Sequence, residues 1–567
     1  MSEKSISAEE VAKHNTKDSL WIIIDGNVYD VTEWQNTHPG GKRMLQKVGG
    51  QDASKKFHSY HDTAAVLRKY GDKFRIGKLA DVEANPASAS TELVMTTMRE
   101  NSLNAERQTQ MGISLLLEMN KTAAAVPAGA PAGAAALPPF GDQIPFADPM
   151  WYQGYYSPYY GEKHARIRSR VRKWLEENVV PHLDDWEEQG GFPPSLYRDF
   201  AQAGWLAYCT GNRDYPSKYF PNKHADICPD AEVDAFVGAA VSDEVCRIGS
   251  GALVWFLSGG FLIGLPPVMN FARPEVRDRV IPQVMAGNKR ICLCITEPRG
   301  GSDVANLETT AEKTADGKHY IVNGVKKWIT NGMFADFFSV AVRTGGPGMN
   351  GVSMLLVEKT FPGVSVRKIT TQGMTGTGTA FVEFDDVKVP VENLIGAENQ
   401  GFKVIMSNFN HERIAVIVQA VRFARVCFED AIRWSFQRKT FGKPLFGHDV
   451  IRNKLAQMAS KIEAAQASLD NLLYQDQCMT PQLASLKLGG PIAGLKAFST
   501  QMLEYVAREA SQIFGGLAYT RGGKGGRVER IYRDVRALAI PGGSEEIMLD
   551  LAIRQSVKVQ KHFGAKL

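Results

Sequence analysis

Histidines, hydroxyls and one carboxylate–guanidinium pair carry the chemistry that can be read from this chain. His38 stands in His38-Pro39-Gly40-Gly41, and His61 ends Phe57-His58-Ser59-Tyr60-His61. Pro39 fixes the turn after His38, and Gly40 and Gly41 let backbone pass close to a bulky ring. Two histidines on separate loops can thus approach a flat cofactor from opposite faces. A second group starts at Cys292-Leu293-Cys294-Ile295-Thr296-Glu297-Pro298-Arg299-Gly300-Gly301-Ser302-Asp303, a strand running into a Gly-rich loop with bare N–H groups and two hydroxyls. Lys326-Lys327-Trp328-Ile329-Thr330-Asn331-Gly332 adds an indole face and another hydroxyl. An aromatic wall with donors along one edge is what a flat isoalloxazine ring needs. A third group, Asn410-His411-Glu412-Arg413, sets a carboxylate beside a guanidinium on a helical stretch, an arrangement common as a surface ion pair.

The elements that must position these groups follow from composition and periodicity. Hydrophobic residues make up 44% and charged residues 22% of the 567, a globular composition. The length allows about three to five structural units. Residues 1–80 are compact and mixed. Residues 81–147 are expected to be a linker, helix-compatible over 92–120 and then an Ala, Pro and Gly run over 123–139 too poor in apolar surface to order itself. From Lys163 to about Arg290 apolar residues recur at helical spacing, as in Ile167, Val171, Trp174 and Leu175. Short β-rich runs follow at 291–296, 320–328, 337–342, 352–358 and 380–389. After Gly401, Ile414, Val418, Val421, Ala424, Phe428 and Ile432 mark one face of a long helix. No 18-residue run is uninterruptedly apolar, so no membrane span is expected. A net charge of +5 is no footprint for nucleic acid. The seven cysteines have neither zinc-finger nor CxxC spacing and are expected as reduced, buried thiols.

The histidine loops come with further markers. A hairpin-like run from Trp21 to Thr32 contains Asp25-Gly26, followed later by Gly49-Gly50-Gln51-Asp52-Ala53 and Ile76-Gly77-Lys78-Leu79. Together they make residues 5–80 resemble a cytochrome b5 domain, a small α+β fold. The resemblance implies haem b with His38 and His61 as axial ligands; it places the second ligand four residues after Phe57, which selects His61 over His58. Two imidazoles leave the iron no open position, which favours electron transfer over oxygen activation. Residues 1–80 carry 13 Lys and Arg against 10 Asp and Glu. That balance disfavours a diffusing basic partner and agrees with a tethered one.

The Thr296 and Trp328 blocks, with helical regions on both sides, make residues 148–560 resemble the acyl-CoA dehydrogenase family. The implied fold is a helical N-terminal domain over 148–290, a middle β-barrel-like domain over 291–400 and a C-terminal four-helix bundle over 401–567. The resemblance implies FAD, with Leu293, Ile295, Thr296, Ser302, Trp328 and Thr330 around the flavin ring and Ser302 also near the CoA arm. Arg438, Thr440 and Phe441 correspond to the block that meets the FAD pyrophosphate, commonly from a neighbouring subunit. A guanidinium suits that phosphate geometry. Gln512 and Gly516 correspond to the segment at the adenine end, and Ser544 and Glu546 to further cofactor contacts. Ala518 stands where the family has a third glycine, and the basic loop 521–530 is slightly longer than usual.

Many members of that family place a catalytic Glu just before the last helix. In Ile540-Pro541-Gly542-Gly543-Ser544-Glu545-Glu546 the matching position is Gly542, which has no side chain to take a proton. A minority carry the Glu on the long helix beside an Arg, and Glu412-Arg413 fits that pattern. The resemblance therefore implies Glu412 as α-proton base, Gly542 as a backbone N–H donor to the thioester oxygen, and Ser302, Arg413 and Gly543 as substrate contacts. Glu545 and Glu546 are the rival bases. The reaction so implied is α,β-dehydrogenation of a fatty acyl-CoA to trans-2-enoyl-CoA in fatty acid β-oxidation, with the b5 haem as electron acceptor or relay. Competing readings are an acyl-CoA oxidase, a flavin monooxygenase on the same fold, and a non-catalytic DNA-associated member. A homo-oligomer, tetramer or dimer, is expected by the same analogy. Ala565-Lys566-Leu567 resembles the Ser-Lys-Leu address. Peroxisomal import through its receptor is therefore expected, with cytoplasm or mitochondria as alternatives.

Overall fold

A computed structural model describes residues 4–38, 41–60, 63–80, 135–210, 217–220, 228 and 233–564. The chain divides into two compact units, Met1–Gly129 and Ala130–Leu567. His61, the helix-compatible segment 92–120 and the terminal Ala565, Lys566 and Leu567 lie outside the described residues.

In the first unit, strands β1 (Ser5–Ile6), β2 (Asn15–Thr16), β3 (Ser19–Ile24), β4 (Asn27–Asp30) and β5 (Arg75–Leu79) form a sheet ordered β1-β5-β4-β3-β2. Helices α1 (Ala8–Lys13), α2 (Lys42–Gln46), α3 (Ser54–Tyr60) and α4 (Thr63–Phe74) complete it. Strand β3 is apolar on both faces because both are covered. Leu20, Ile22 and Ile24 pack with Tyr29, Val31, Leu45 and Val48, while Ile23 packs with Ile6, Val11 and Val28. Side chains alternating at period two divide the strand between these clusters. Asp25, at φ 51°, and Gly26, at φ 74°, turn β3 into β4.

The second unit begins ahead of residue 148, which corrects the linker boundary. Strand β6 (Ala135–Ala136) pairs with β7 (Tyr156–Ser157), and Leu137 and Ala147 are core residues. Helices α5 (Glu162–Asn178), α6 (Leu183–Gln189), α7 (Pro194–Gln202), α8 (Trp205–Cys209) and α9 (Ala235–Arg247) follow, the last capped by Asp234, which accepts from Val237 N at 2.9 Å. On α5, the Arg168 guanidinium lies 3.7 Å over the Phe140 ring, 4.6 Å from that of Tyr152 and 5.0 Å from that of Trp151. This cation–π stack holds the segment before Trp151 against the helices.

The run Gly251–Phe271 comprises α10 (Gly251–Val254), a π-turn over Trp255–Gly259 and α11 (Gly260–Phe271), with α12 (Pro274–Met285) after it. It is 21 residues long and apolar enough to cross a membrane, but 72% of its apolar window is buried in protein, as in a core helix.

The middle region is a seven-stranded sheet of β8 (Ile291–Cys294), β9 (Thr310–Lys313), β10 (His319–Ile329), β11 (Phe337–Arg343), β12 (Val352–Glu358), β13 (Val364–Lys368) and β14 (Ala380–Pro390). Strands run β12-β11-β9-β10-β14-β13, and β8 lies parallel on β11. The C-terminal region holds α13 (Gly401–Gln437), the hairpin β15 (Lys439–Thr440) and β16 (Lys443–Pro444), then α14 (Asp449–Cys478), α15 (Pro481–Phe514), α16 (Gly526–Ala539) and α17 (Glu545–His562). Helix α15 packs against α13, α14, α16 and α17. From Val416 to Phe428 helix α13 is buried on all sides. Its cations there are paired: Arg422 with Asp148 and Asp243, and Arg425 with Glu463 at 2.7 Å. Five cysteines are buried, Cys209 is half-buried, and Cys478 is exposed, which departs from the expectation for all seven.

Candidate active site

The strand-to-loop turn after β8 is held from below. Buried Glu297 accepts from the backbone N of Glu308 at 2.5 Å and of Thr309 at 2.9 Å, and from Lys326 Nζ at 2.7 Å. Lys326, wholly buried on β10, also donates to Ile295 O at 3.0 Å. Burial would raise the Glu297 carboxyl, but the Lys326 ammonium brings it below its ordinary value. A buried pair of this kind cannot lose one partner without leaving a charge stranded. It locks β8's end to β10, and Lys327 N donates to Thr296 O at 2.9 Å. Thr296 and Trp328 are thereby neighbours. Trp328 sits at φ 58° with its side chain 49% exposed, an outward-facing indole, and Thr330 follows on the same strand end. Ile295 is buried, Leu293 half-buried and Ser302 exposed.

The start of α11 connects this wall to α13. Gly260 N donates to Asn331 Oδ1 at 2.8 Å, and a Cβ at Gly260 would meet that oxygen at 2.6 Å, so the close approach requires glycine. Asn331 is anchored in turn to Thr377 O at 2.8 Å. Two residues beyond Gly260, Leu262 O accepts from Asn408 Nδ2 at 3.3 Å, and the same amide donates to Glu412 Oε1 at 2.9 Å. Burial pushes the Glu412 carboxyl up to about 7, against the Asn408 hydrogen bond and Arg413. Arg413 Nε donates to Gly542 O at 3.0 Å. Lys496 Nζ, from α15, donates to Ala539 O at 2.6 Å and Gly543 O at 2.7 Å. Two cations therefore grip the carbonyls of one turn. Gly543 takes φ 105°, a backbone conformation that favours glycine, and a Cβ there would meet the end of the Met548 side chain.

Arg413 thus meets the Gly542–Gly543 turn, with Glu412 next to it on α13. Glu545 lies in the first turn of α17, within 3.5 Å of Thr500 Oγ1, Gln501 Nε2 and Arg536 Nη2; Glu546, behind Ser544 at the N-cap, is exposed. Arg438, Thr440 and Phe441 do not join them within one chain. Arg438 is 26 residues past Glu412 at the far end of the same helix, about 39 Å along its axis at 1.5 Å per residue. Phe441, at the hairpin tip, is 95% exposed. Gln512 and Gly516 lie at the far end of α15, where both are exposed.

In the first unit, His38 stands edge-on to Trp34 with ring centroids 5.0 Å apart, beside a cluster containing Leu45, Phe57, Leu67 and Phe74. Such an apolar floor with an imidazole at its edge fits a haem. His58 is engaged elsewhere: its Nε2 lies 2.7 Å from Asp25 Oδ1.

The chain is 42% identical to the acyl-CoA dehydrogenase apdG of Emericella nidulans over 430 residues, 75% of this chain and 98% of that one. The chain belongs to the acyl-CoA dehydrogenase family. Its parts match the family models in order: the acyl-CoA dehydrogenase N-terminal domain over 161–214, the middle domain over 292–387 and the C-terminal domain over 399–557. Ahead of these, residues 7–80 match the cytochrome b5-like heme/steroid binding domain. A crystal structure of a probable acyl-CoA dehydrogenase from Mycobacterium abscessus covers 70% of this chain and 99% of its own, at 34% identity and TM-score 0.63. An acyl-CoA dehydrogenase from Bacillus anthracis solved with FAD matches 72% of this chain and 70% of its own, at 25% identity and TM-score 0.63. The family binds FAD. The residues here fit it: an exposed indole at Trp328, hydroxyls at Thr296 and Thr330, and a loop at Gly301 with nothing within 4 Å of a Cβ position.

Sequence reasoning missed Glu297, Lys326, Asn331, Lys496 and Asn408. Lys326, Lys496 and Asn408 each bond a named site residue, Glu297 holds Lys326, and Asn331 follows Thr330 directly in the chain. Asn408 alone left a sequence signal, four residues ahead of Glu412 on a helix.

Proposed function

We propose that the large unit oxidises a fatty acyl-CoA thioester between Cα and Cβ, in fatty acid β-oxidation, with Glu412 as the α-proton base. The observation that carries this reading is the Arg413–Gly542 hydrogen bond, which ties the helix of the carboxylate to the turn whose N–H groups are suited to the thioester oxygen. Removing an α-hydrogen builds negative charge on that oxygen, so donors and base must be assembled together. Glu412 accepts the proton. Its burial raises its basicity, so proton abstraction strengthens as pH rises through about 7. Ser302 and Gly543 are the proposed contacts to the thioester arm. Bound FAD supplies the hydride acceptor for the β-hydrogen, held by Thr296, Ser302, Trp328 and Thr330. The haem of the first unit, on His38 and His61, supplies a one-electron acceptor. Arg438, Thr440, Phe441, Gln512, Gly516, Ser544 and Glu546 are assigned to FAD's phosphate and adenine parts, the first three acting from a neighbouring subunit.

The test is Glu412→Gln, which keeps shape and hydrogen bonding. FAD content should be unchanged, while anaerobic flavin bleaching by acyl-CoA falls about 10²- to 10⁴-fold. Near-normal bleaching removes Glu412 from the mechanism and directs attention to Glu545.

A further inference from the structure

Helix α11 runs through Pro266 and Pro267. A proline has no N–H, so the carbonyl four residues before Pro266, that of Leu262, lacks its helical donor. Asn408 supplies the replacement, with Nδ2 at 3.3 Å from Leu262 O. The same nitrogen donates to Glu412 Oε1 at 2.9 Å. A side-chain amide nitrogen carries two protons, and both are used here. Asn408 is buried, 7% exposed. The Leu262 carbonyl can only accept. It therefore excludes the flipped amide, in which oxygen would face oxygen, and compels Asn408 to present its NH2 group to both partners.

We propose that Asn408 is a positioning residue for the base: the carbonyl that the prolines leave free in α11 fixes its amide, and the amide fixes the Glu412 carboxylate in one orientation and favours its ionised form. The inference rests on the reading of Glu412 as base. The other charged group acting on Glu412 is its neighbour Arg413. Helix α11 has no ionisable residue. Lys496 of α15 and Glu545 of α17 act on one another, and Lys496 faces Arg413, behind the Gly542 turn. His411 is exposed. With Asn408 removed, burial acts on Glu412 against Arg413 alone.

The experiment uses the full-length enzyme loaded with FAD and whichever of butyryl-, octanoyl- and palmitoyl-CoA bleaches the wild-type flavin fastest. Asn408→Leu removes both donors at similar volume, and Asn408→Ala does so without crowding. Two readouts are taken across pH: anaerobic flavin reduction, and an infrared titration of the carboxyl band that disappears in Glu412→Gln. In both variants the carboxyl titration and the acidic limb of the rate should move up by about one pH unit. The rate should be about tenfold lower below the limb, with a smaller loss on the plateau where only the orientation of the carboxylate is missing. An unmoved carboxyl titration in a variant that holds FAD overturns the proposal, as does a loss of equal size at every pH with the limb in place. If Glu412→Gln bleaches normally, the base assignment itself fails. If it is slow while the titration stays in place, only the role of Asn408 falls.

Discussion

Arg413 Nε and Gly542 O are 3.0 Å apart although 129 residues separate them in sequence. The carbonyl of a trans peptide and the following N–H point opposite ways. Binding the Gly542 oxygen therefore fixes the peptide plane that directly follows the Gly542 N–H assigned to the thioester oxygen. Arg413→Met should loosen that turn. Flavin reduction by acyl-CoA should fall about 10- to 100-fold, the scale of one charge-assisted hydrogen bond. FAD content should change little. A wild-type reduction rate would show that the turn holds its shape without the guanidinium.

A second expectation concerns assembly. Glu412 lies in the first third of α13 and Arg438 just past its C-terminal end, about 39 Å along the axis and farther apart than a single FAD reaches. Glu412→Gln should lack the base and Arg438→Gln should bind FAD poorly. Co-expressed in one oligomer, the two variants should regain activity that neither has alone. No recovery, in oligomers shown to be mixed, would place both groups at the same flavin of one chain.

The haem ligands can be separated by single substitutions. Because His58 Nε2 lies against Asp25 Oδ1, His58→Ala should keep a low-spin haem spectrum. His38→Ala and His61→Ala should lose it, with flavin bleaching by acyl-CoA intact in all three. Loss of haem in His58→Ala, with retention in His61→Ala, would reverse the assignment.

Stability should vary with pH through Asp534. Its Oδ1 accepts from Met374 N at 2.8 Å, while its buried Oδ2 meets no partner among the described residues. Burial, then the nearby Glu187, push its carboxyl up to about 7. A carboxyl raised by folding contributes fully below its unfolded value near 4, and that contribution is lost as pH rises through about 7. Asp534→Asn should therefore raise Tm at pH 8, by the equivalent of about 1 kcal/mol or more, and by clearly less at pH 5. Equal effects at both pH values would mean that Asp534 does not titrate in this range.

What the sequence made legible follows the strength of each local pattern. The strands β10, β11, β12 and β14 alternate or are mostly apolar, and their bounds fall within a residue or two of those read from sequence. Strands β9 and β13 escaped notice because only Ala311 is buried between them. Glu412 could be found because Gly542 empties the alternative position. Asn408 was legible only as a residue four ahead of Glu412; its second partner, Leu262, is 146 residues away and offers only a backbone carbonyl. The same holds for Lys496, whose acceptors are main-chain oxygens that no residue type announces.

The stack of Arg168 on Phe140, Tyr152 and Trp151 determines how the two halves can be studied apart. A flavin half started at residue 148 would begin just past Phe140 and Leu137. It would take the nearest of the three rings, Phe140, off a guanidinium only 4% exposed and strip β7 of its strand partner. A fragment that keeps the dehydrogenase half whole has to start ahead of Ala135, inside the stretch that composition alone marks as expendable.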